Sequence, residues 1–190
     1  MRRLVTTGRA LALTVTALLA LETPVQDAKN QTPAGQTLTP SQALLQSWNE
    51  IGRKLIALAE DFPESKYDFR PKSSQRTFAE QLLHVAGSND LFSDVAKGKK
   101  AQDDESRSHY PGKAAVVDYL KRSFEKGATV IREKGEVGMA ETVVDSESGL
   151  RLPLTALAWE LVEHSGEHYG QLVVYYRVAD LVPPESRPRR

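Results

Sequence analysis

The chain has no cysteine among its 190 residues. That absence removes disulfides, cysteine-ligated zinc, iron–sulfur clusters and thiol nucleophiles together. It also suits an oxidising compartment, where a free thiol is a liability. Any metal must therefore be held by His, Asp or Glu. Neither sign of charge is in excess: 25 Lys and Arg balance 25 Asp and Glu, so the composition points to no nucleic-acid partner. A long hydrophobic run is missing too. The most apolar stretch, Ala10 to Leu21, rises about 18 Å as a helix, well short of the roughly 30 Å hydrocarbon core of a bilayer.

What precedes that stretch gives it a meaning. Arg2, Arg3 and Arg9 stand before it, and a basic segment followed by a short apolar one reads as a secretory leader. Residues 1–28 are expected to be this signal peptide, with Ala20 or Ala28 ahead of the cleavage point and no small residue at the −3 position of either. Residues 29–38 are expected to be a linker, within a Gln-, Thr- and Pro-rich stretch with little to bury. The mature protein is then expected outside the cytoplasm, periplasmic or extracellular. Without cysteine it has no lipid-attachment site and no stable membrane anchor after processing.

The folded domain is expected over residues 39–187. Thr39 and Pro40 suit an N-cap and a first helical position. Leu44, Leu45, Trp48, Ile51, Leu55, Leu58 and Phe62 then follow at helical spacing up to Pro63. Thr77 with Glu80 forms a capping box for a second helix. Its stripe is Phe78, Leu82, Val85, Phe92 and Ala96, with His84, Leu91 and Val95 along the edge, and Gly98 ends it. The charged stretch from Lys99 to Gly112 reads as a surface loop. A third helix is expected from Lys113 to Lys134, with Ala114, Val117, Leu120, Phe124, Ala128 and Ile131 inward. Met139 to Leu152 reads as an extended crossover, since the strand-like Glu141 to Asp145 has no clear partner. Pro153 opens the last helix. Its seam of Leu154, Leu157, Leu161, His164, His168, Gln171, Tyr175 and Val178 recurs mostly at alternating spacings of four and three. Four helices with one long crossover between the third and fourth make an all-α four-helix bundle.

Two of the four histidines therefore occupy seam positions where Leu would normally sit. An unpaired buried polar group costs about 1–3 kcal/mol, so two on successive turns need a common explanation. A metal supplies one, because neutral imidazole is a frequent ligand. His84 faces the same interior and is the third candidate. Three ligands leave a position open, as catalytic zinc sites do. The competing reading is a metal-free polar network with Glu163, Glu167 or a tyrosine as partner. His109, in the charged loop, reads as exposed and silent. Glu160 and Gln171, one turn from the ligands at i−4 and i+3, are the candidates for orienting them. Glu163, Glu167 and Tyr169 adjoin the ligands in sequence and so point elsewhere on the helix.

Known metal motifs fit less well. The zincin pattern requires Glu after the first His, where Ser165 stands. His164-x-x-Glu167-His168 matches the reversed pattern, but that class resembles a much larger α+β peptidase. A di-iron bundle requires Glu three residues before each His, and here those residues are Leu161 and Ser165.

Two stretches carry a resemblance. One runs from Phe69-Arg70-Pro71 to Arg76-Thr77-Phe78-Ala79-Glu80-Gln81-Leu82-Leu83-His84. The other is His164-Ser165-Gly166-Glu167-His168-Tyr169-Gly170-Gln171, followed by Tyr176-Arg177 and Val182-Pro183-Pro184-Glu185-Ser186. In this order they resemble the DinB/YfiT-like family of metal-dependent enzymes, over about Leu38 to Arg187. The resemblance implies a four-helix bundle, often a homodimer, holding one divalent metal ion per chain through His84, His164 and His168. Zinc is the first expectation, with nickel, manganese and iron as the others. Tyr169 stands where the family often has Arg, and Ala179-Asp180 where it often has Asn-Gly. The function expected is a metal-dependent hydrolase of a small substrate. A thiol-dependent S-transferase or isomerase, as the family also contains, and a non-catalytic metal-binding or interaction module are the alternatives.

Overall fold

Thr39 begins the first helix as its sequence predicts. In the computed structural model its hydroxyl accepts from the Gln42 amide and its own amide donates to the Gln42 side chain. This capping box satisfies two of the orphan donors at a helix start. The structure describes residues 35, 37–100, 104–145 and 148–188. The expected leader and most of the expected linker lie outside them. Helix α1 covers Pro40–Asp61, α2 Phe78–Ala96, α3 Gly112–Met139 and α4 Leu154–Val178. Among the described residues no helix is long and apolar enough to cross a membrane.

The helices form a four-helix bundle in which α3 and α4 each pack between α1 and α2. Trp48 on α1 fills the space among the first three helices. Its indole N–H donates to the Phe124 carbonyl at 2.9 Å, and its ring lies 5.3 Å from Phe92 and 5.7 Å edge-on to Phe124. This approach needs a glycine on α3, because a Cβ on Gly127 would stand 2.0 Å from the Trp48 ring. At one end of the bundle Phe62, Tyr67, Phe78, Tyr175 and Tyr176 make an aromatic cluster, with Phe62 and Phe78 stacked at 3.8 Å. Two of its phenols cap the end of α1: Tyr67 donates to Ala59 O and Tyr176 to Leu58 O. Ala59 O is thereby satisfied without water, and Leu58 O, which already accepts from the Phe62 amide, gains a second donor.

Three sequence expectations need correction. Helix α3 does not stop at Lys134; it continues to Met139 past a break at Gly135 (φ 54°, ψ −164°), a left-handed φ that glycine adopts at little cost. Its inner face at the start is Val116 rather than Ala114, which is exposed. The crossover is not simply extended. Thr142–Val144 (β1) pairs antiparallel with Arg151–Pro153 (β2), and Val143 faces Leu152. The bundle therefore carries a small two-stranded hairpin in its long connection. Finally, the α4 seam drifts. Leu154, Leu157, Leu161, His168 and Tyr175 are buried as expected, but Gln171 and Val178 are exposed, while Ala158, Ser165, Leu172 and Tyr176 are buried. A straight helix advances 3.6 residues per turn, so a 3.5-residue seam drifts by about 20° per heptad, and the buried face of α4 is wider than that seam.

Candidate metal centre

His84 comes from the middle of α2, and His164 and His168 from successive turns of α4, the helix packed beside it. The α2 capping box at Thr77 and Glu80 sets the start of the helix two turns before His84. His168 is 6% exposed, and His84 and His164 are half-buried at the bundle edge. The rings meet edge to face, with centroids 4.4–5.0 Å apart.

All three present a ring nitrogen to one point. His164 Nε2 lies 3.2 Å from His84 Nε2 and 3.0 Å from His168 Nε2. One ligand atom from each histidine falls within 4.8 Å of the others. Two imidazole nitrogens bound at about 2.05 Å to one ion are about 3.4 Å apart at the tetrahedral angle and about 2.9 Å apart at a right angle. Both separations from His164 fall between these limits, which is compatible with a single divalent ion among the three.

The opposite edges of the rings explain the orientation. His84 Nδ1 lies 2.7 Å from Glu105 Oε1, and a carboxylate oxygen can only accept, so Nδ1 carries the proton. His168 Nδ1 lies 3.1 Å from Gln171 Oε1, which also accepts from Gln81 Nε2 at 2.9 Å. Neutral His168 is thus protonated on Nδ1 as well, and its Nε2 lone pair points at the cluster. Burial, then the neighbouring His164 and His84, push the His168 pKa down to about 4. The low-dielectric site resists a second proton and keeps the ring in the form a metal takes.

Of the expected orienting residues, Gln171 reaches His168, whereas Glu160 is exposed. Glu163 and Glu167 are exposed on the outer face of α4. Tyr169 is half-buried, and burial, then the Glu185 carboxylate, pushes its phenol pKa up. His109 is 64% exposed and pairs with Asp104 at 2.9 Å, away from the cluster. Two participants went unread in the sequence. Gln81, buried and one turn before His84 on α2, was open to discovery by its i−3 spacing. Glu105, in the charged loop, has no helical register to betray it.

The sequence model of the DinB superfamily matches residues 47–172, two-thirds of the chain, and spans all three histidines. The chain belongs to the DinB superfamily. Solved DinB-like structures agree with it in fold. One, from Bacillus cereus ATCC 10987, is 16% identical, with a TM-score of 0.63 over 75% of this chain and 95% of its own. Another, YjoA from Bacillus subtilis, is 20% identical, with a TM-score of 0.60 over 78% of this chain and 99% of its own. No curated protein matches. For this DinB protein the likeness establishes the helical scaffold, and the metal-compatible chemistry rests on its own three histidines.

Proposed function

We propose that this DinB protein holds one divalent metal ion, zinc in the first instance, on His84, His164 and His168, and acts as an exported hydrolase of a small substrate. The observation that carries the metal reading is the convergence of three Nε2 atoms with too few protons to join them. A proton on His164 Nε2 serves either the 3.2 Å contact to His84 or the 3.0 Å contact to His168, and not both. Protonating His84 as well leaves the contact to His168 unserved, and burial opposes a proton there. A cation among the three lone pairs resolves both contacts at once.

The hydrolase reading is supported by the ligand count and by where the site lies. Three protein ligands leave a coordination position for water or substrate. The His84 side chain keeps 21% of its surface exposed, which gives that position access from solvent. When bound, the metal supplies Lewis acidity toward a carbonyl or phosphoryl oxygen and a nucleophile from water near neutral pH. Gln171 accepts from His168 Nδ1, which leaves the Nε2 of that ring for the ion. The basic segment ahead of Ala10 to Leu21 supports export.

Elemental analysis of the purified mature protein by mass spectrometry tests the site. One metal per chain is expected, lost in His84→Ala, His164→Ala and His168→Ala and kept in His109→Ala. Unchanged metal in His84→Ala would sink the three-ligand site. Hydrolysis of chromogenic esters and phosphates that disappears on chelation and returns with zinc tests the reaction. The N-terminal sequence of the protein recovered from the periplasm or medium tests export.

A further inference from the structure

The segment before α3 looks in sequence like a solvated connection. In the structure its residues 104–111 are tied down from several sides. Arg107 donates to the Asp68 carboxylate at 2.9 and 3.4 Å and also to the Tyr110 carbonyl. The Tyr110 ring stacks on Tyr119 of α3 at 4.4 Å and 4°. Asp104 accepts from the Ser106 amide at 3.2 Å and the Tyr110 hydroxyl at 3.2 Å, with His109 Nδ1 at 2.9 Å. Surface loops seldom hold this many side-chain contacts. Between Asp104 and Ser106 stands Glu105, whose carboxylate, 32% exposed, meets His84 Nδ1 at 2.7 Å.

We propose that Glu105 is a positioning residue of the metal centre: the anchored 104–111 segment holds its carboxylate against His84 so that this ligand presents Nε2 in one tautomer and one ring orientation. The inference rests on the three-histidine metal reading and extends it to a residue outside the bundle helices. The physical case has two parts. An imidazole with no acceptor on Nδ1 is free to place its proton on Nε2, which removes the lone pair from the metal side. A carboxylate on Nδ1 forbids that and raises the basicity of Nε2. Among the described residues, two of the histidines gain this help from two directions: Gln171 and Gln81 on the helices for His168, and Glu105 on the loop for His84. Among the described residues, the acceptor at His84 Nδ1 comes from this loop.

The test measures zinc affinity by competition with a chelator of known strength in wild type, Glu105→Ala and Glu105→Gln. It also reads the His84 tautomer by nitrogen-15 NMR of the metal-free proteins. Glu105→Ala is expected to bind zinc about 10- to 100-fold more weakly, with His84 shifting toward the Nε2–H form. Glu105→Gln, whose carbonyl oxygen still accepts from Nδ1–H, is expected to recover most of the affinity and the Nδ1–H tautomer. Wild-type affinity in Glu105→Ala overturns the role of Glu105 and leaves the three-histidine site standing. Weak binding with an unchanged His84 tautomer overturns it as well, because the loss would then come from the loop and not from the ligand. A wild-type protein that takes up no zinc overturns the metal reading, and this proposal with it.

Discussion

A histidine in an apolar seam makes the metal-free protein sensitive to acid, and His168 allows the size of the effect to be worked out. Its folded pKa is pushed down to about 4 from an ordinary 6.5. Between those values the unfolded chain binds a proton that the folded chain refuses, so stability rises with pH across this window. The contribution is fully present above pH 6.5 and is lost as pH falls toward 4. At pH 5 the linkage relation gives a loss of about 2 kcal/mol relative to pH 7.5, rising to about 3 kcal/mol at pH 4. The three imidazoles are close enough to titrate together, so the loss belongs to the cluster. His168→Leu removes the buried ring and puts back the side chain an α4 seam favours. Urea unfolding of both proteins, kept metal-free with a chelator, is the assay. The wild type should lose about 2 kcal/mol more than His168→Leu between pH 7.5 and 5, about 1 M in urea midpoint for an m-value near 2 kcal/mol/M. Carboxylates elsewhere contribute equally to both and cancel. Parallel stability curves would refute the argument, since they would mean that His168 takes up its proton in the folded state as readily as in the unfolded one.

Two further predictions concern the scaffold. Gly127→Ala places a methyl 2.0 Å from the Trp48 ring, which is held by Phe92, Phe124 and its own hydrogen bond and has nowhere to go. Despite the better helix propensity of Ala, the variant should lose about 1–3 kcal/mol in denaturant unfolding. Thr77→Ala breaks the cap that starts α2 and should cost about 1 kcal/mol. The same unfolding titration checks it.

Much of the three-histidine cluster was legible because it is local. His164 and His168 are four residues apart on one helix, and that spacing alone puts them on one face. The place of His84 on the edge of the α2 stripe followed from the same periodicity. The helix starts were readable because a cap is local: Thr39 is followed by Pro40, and Thr77 stands three residues before its capping-box partner Glu80. The strand pair was not: β1 and β2 have three residues each, too short for a pattern, and each gains its meaning only from the other. Glu160 lies one turn from His164 by spacing, yet its helix position faces solvent. Periodicity gives the angle between residues on a helix and says nothing of what lies opposite.

The sequence by itself determined the chemistry that was possible: no sulfur ligands, two imidazoles on adjacent turns of one amphipathic helix, a third on another, and caps that fix where α1 and α2 begin. These are properties of composition and of contacts within a turn or two, where chain connectivity leaves little freedom. Only the tertiary structure decided that α2 lies beside α4 while α3 lies across from it, that the three Nε2 atoms meet within 3.0–3.2 Å along the cluster, and that Glu105, 21 residues from His84 in sequence, completes the grip on its ring. Such contacts join segments separated by whole elements, so their geometry follows from how the helices pack and where the loop between α2 and α3 is pinned.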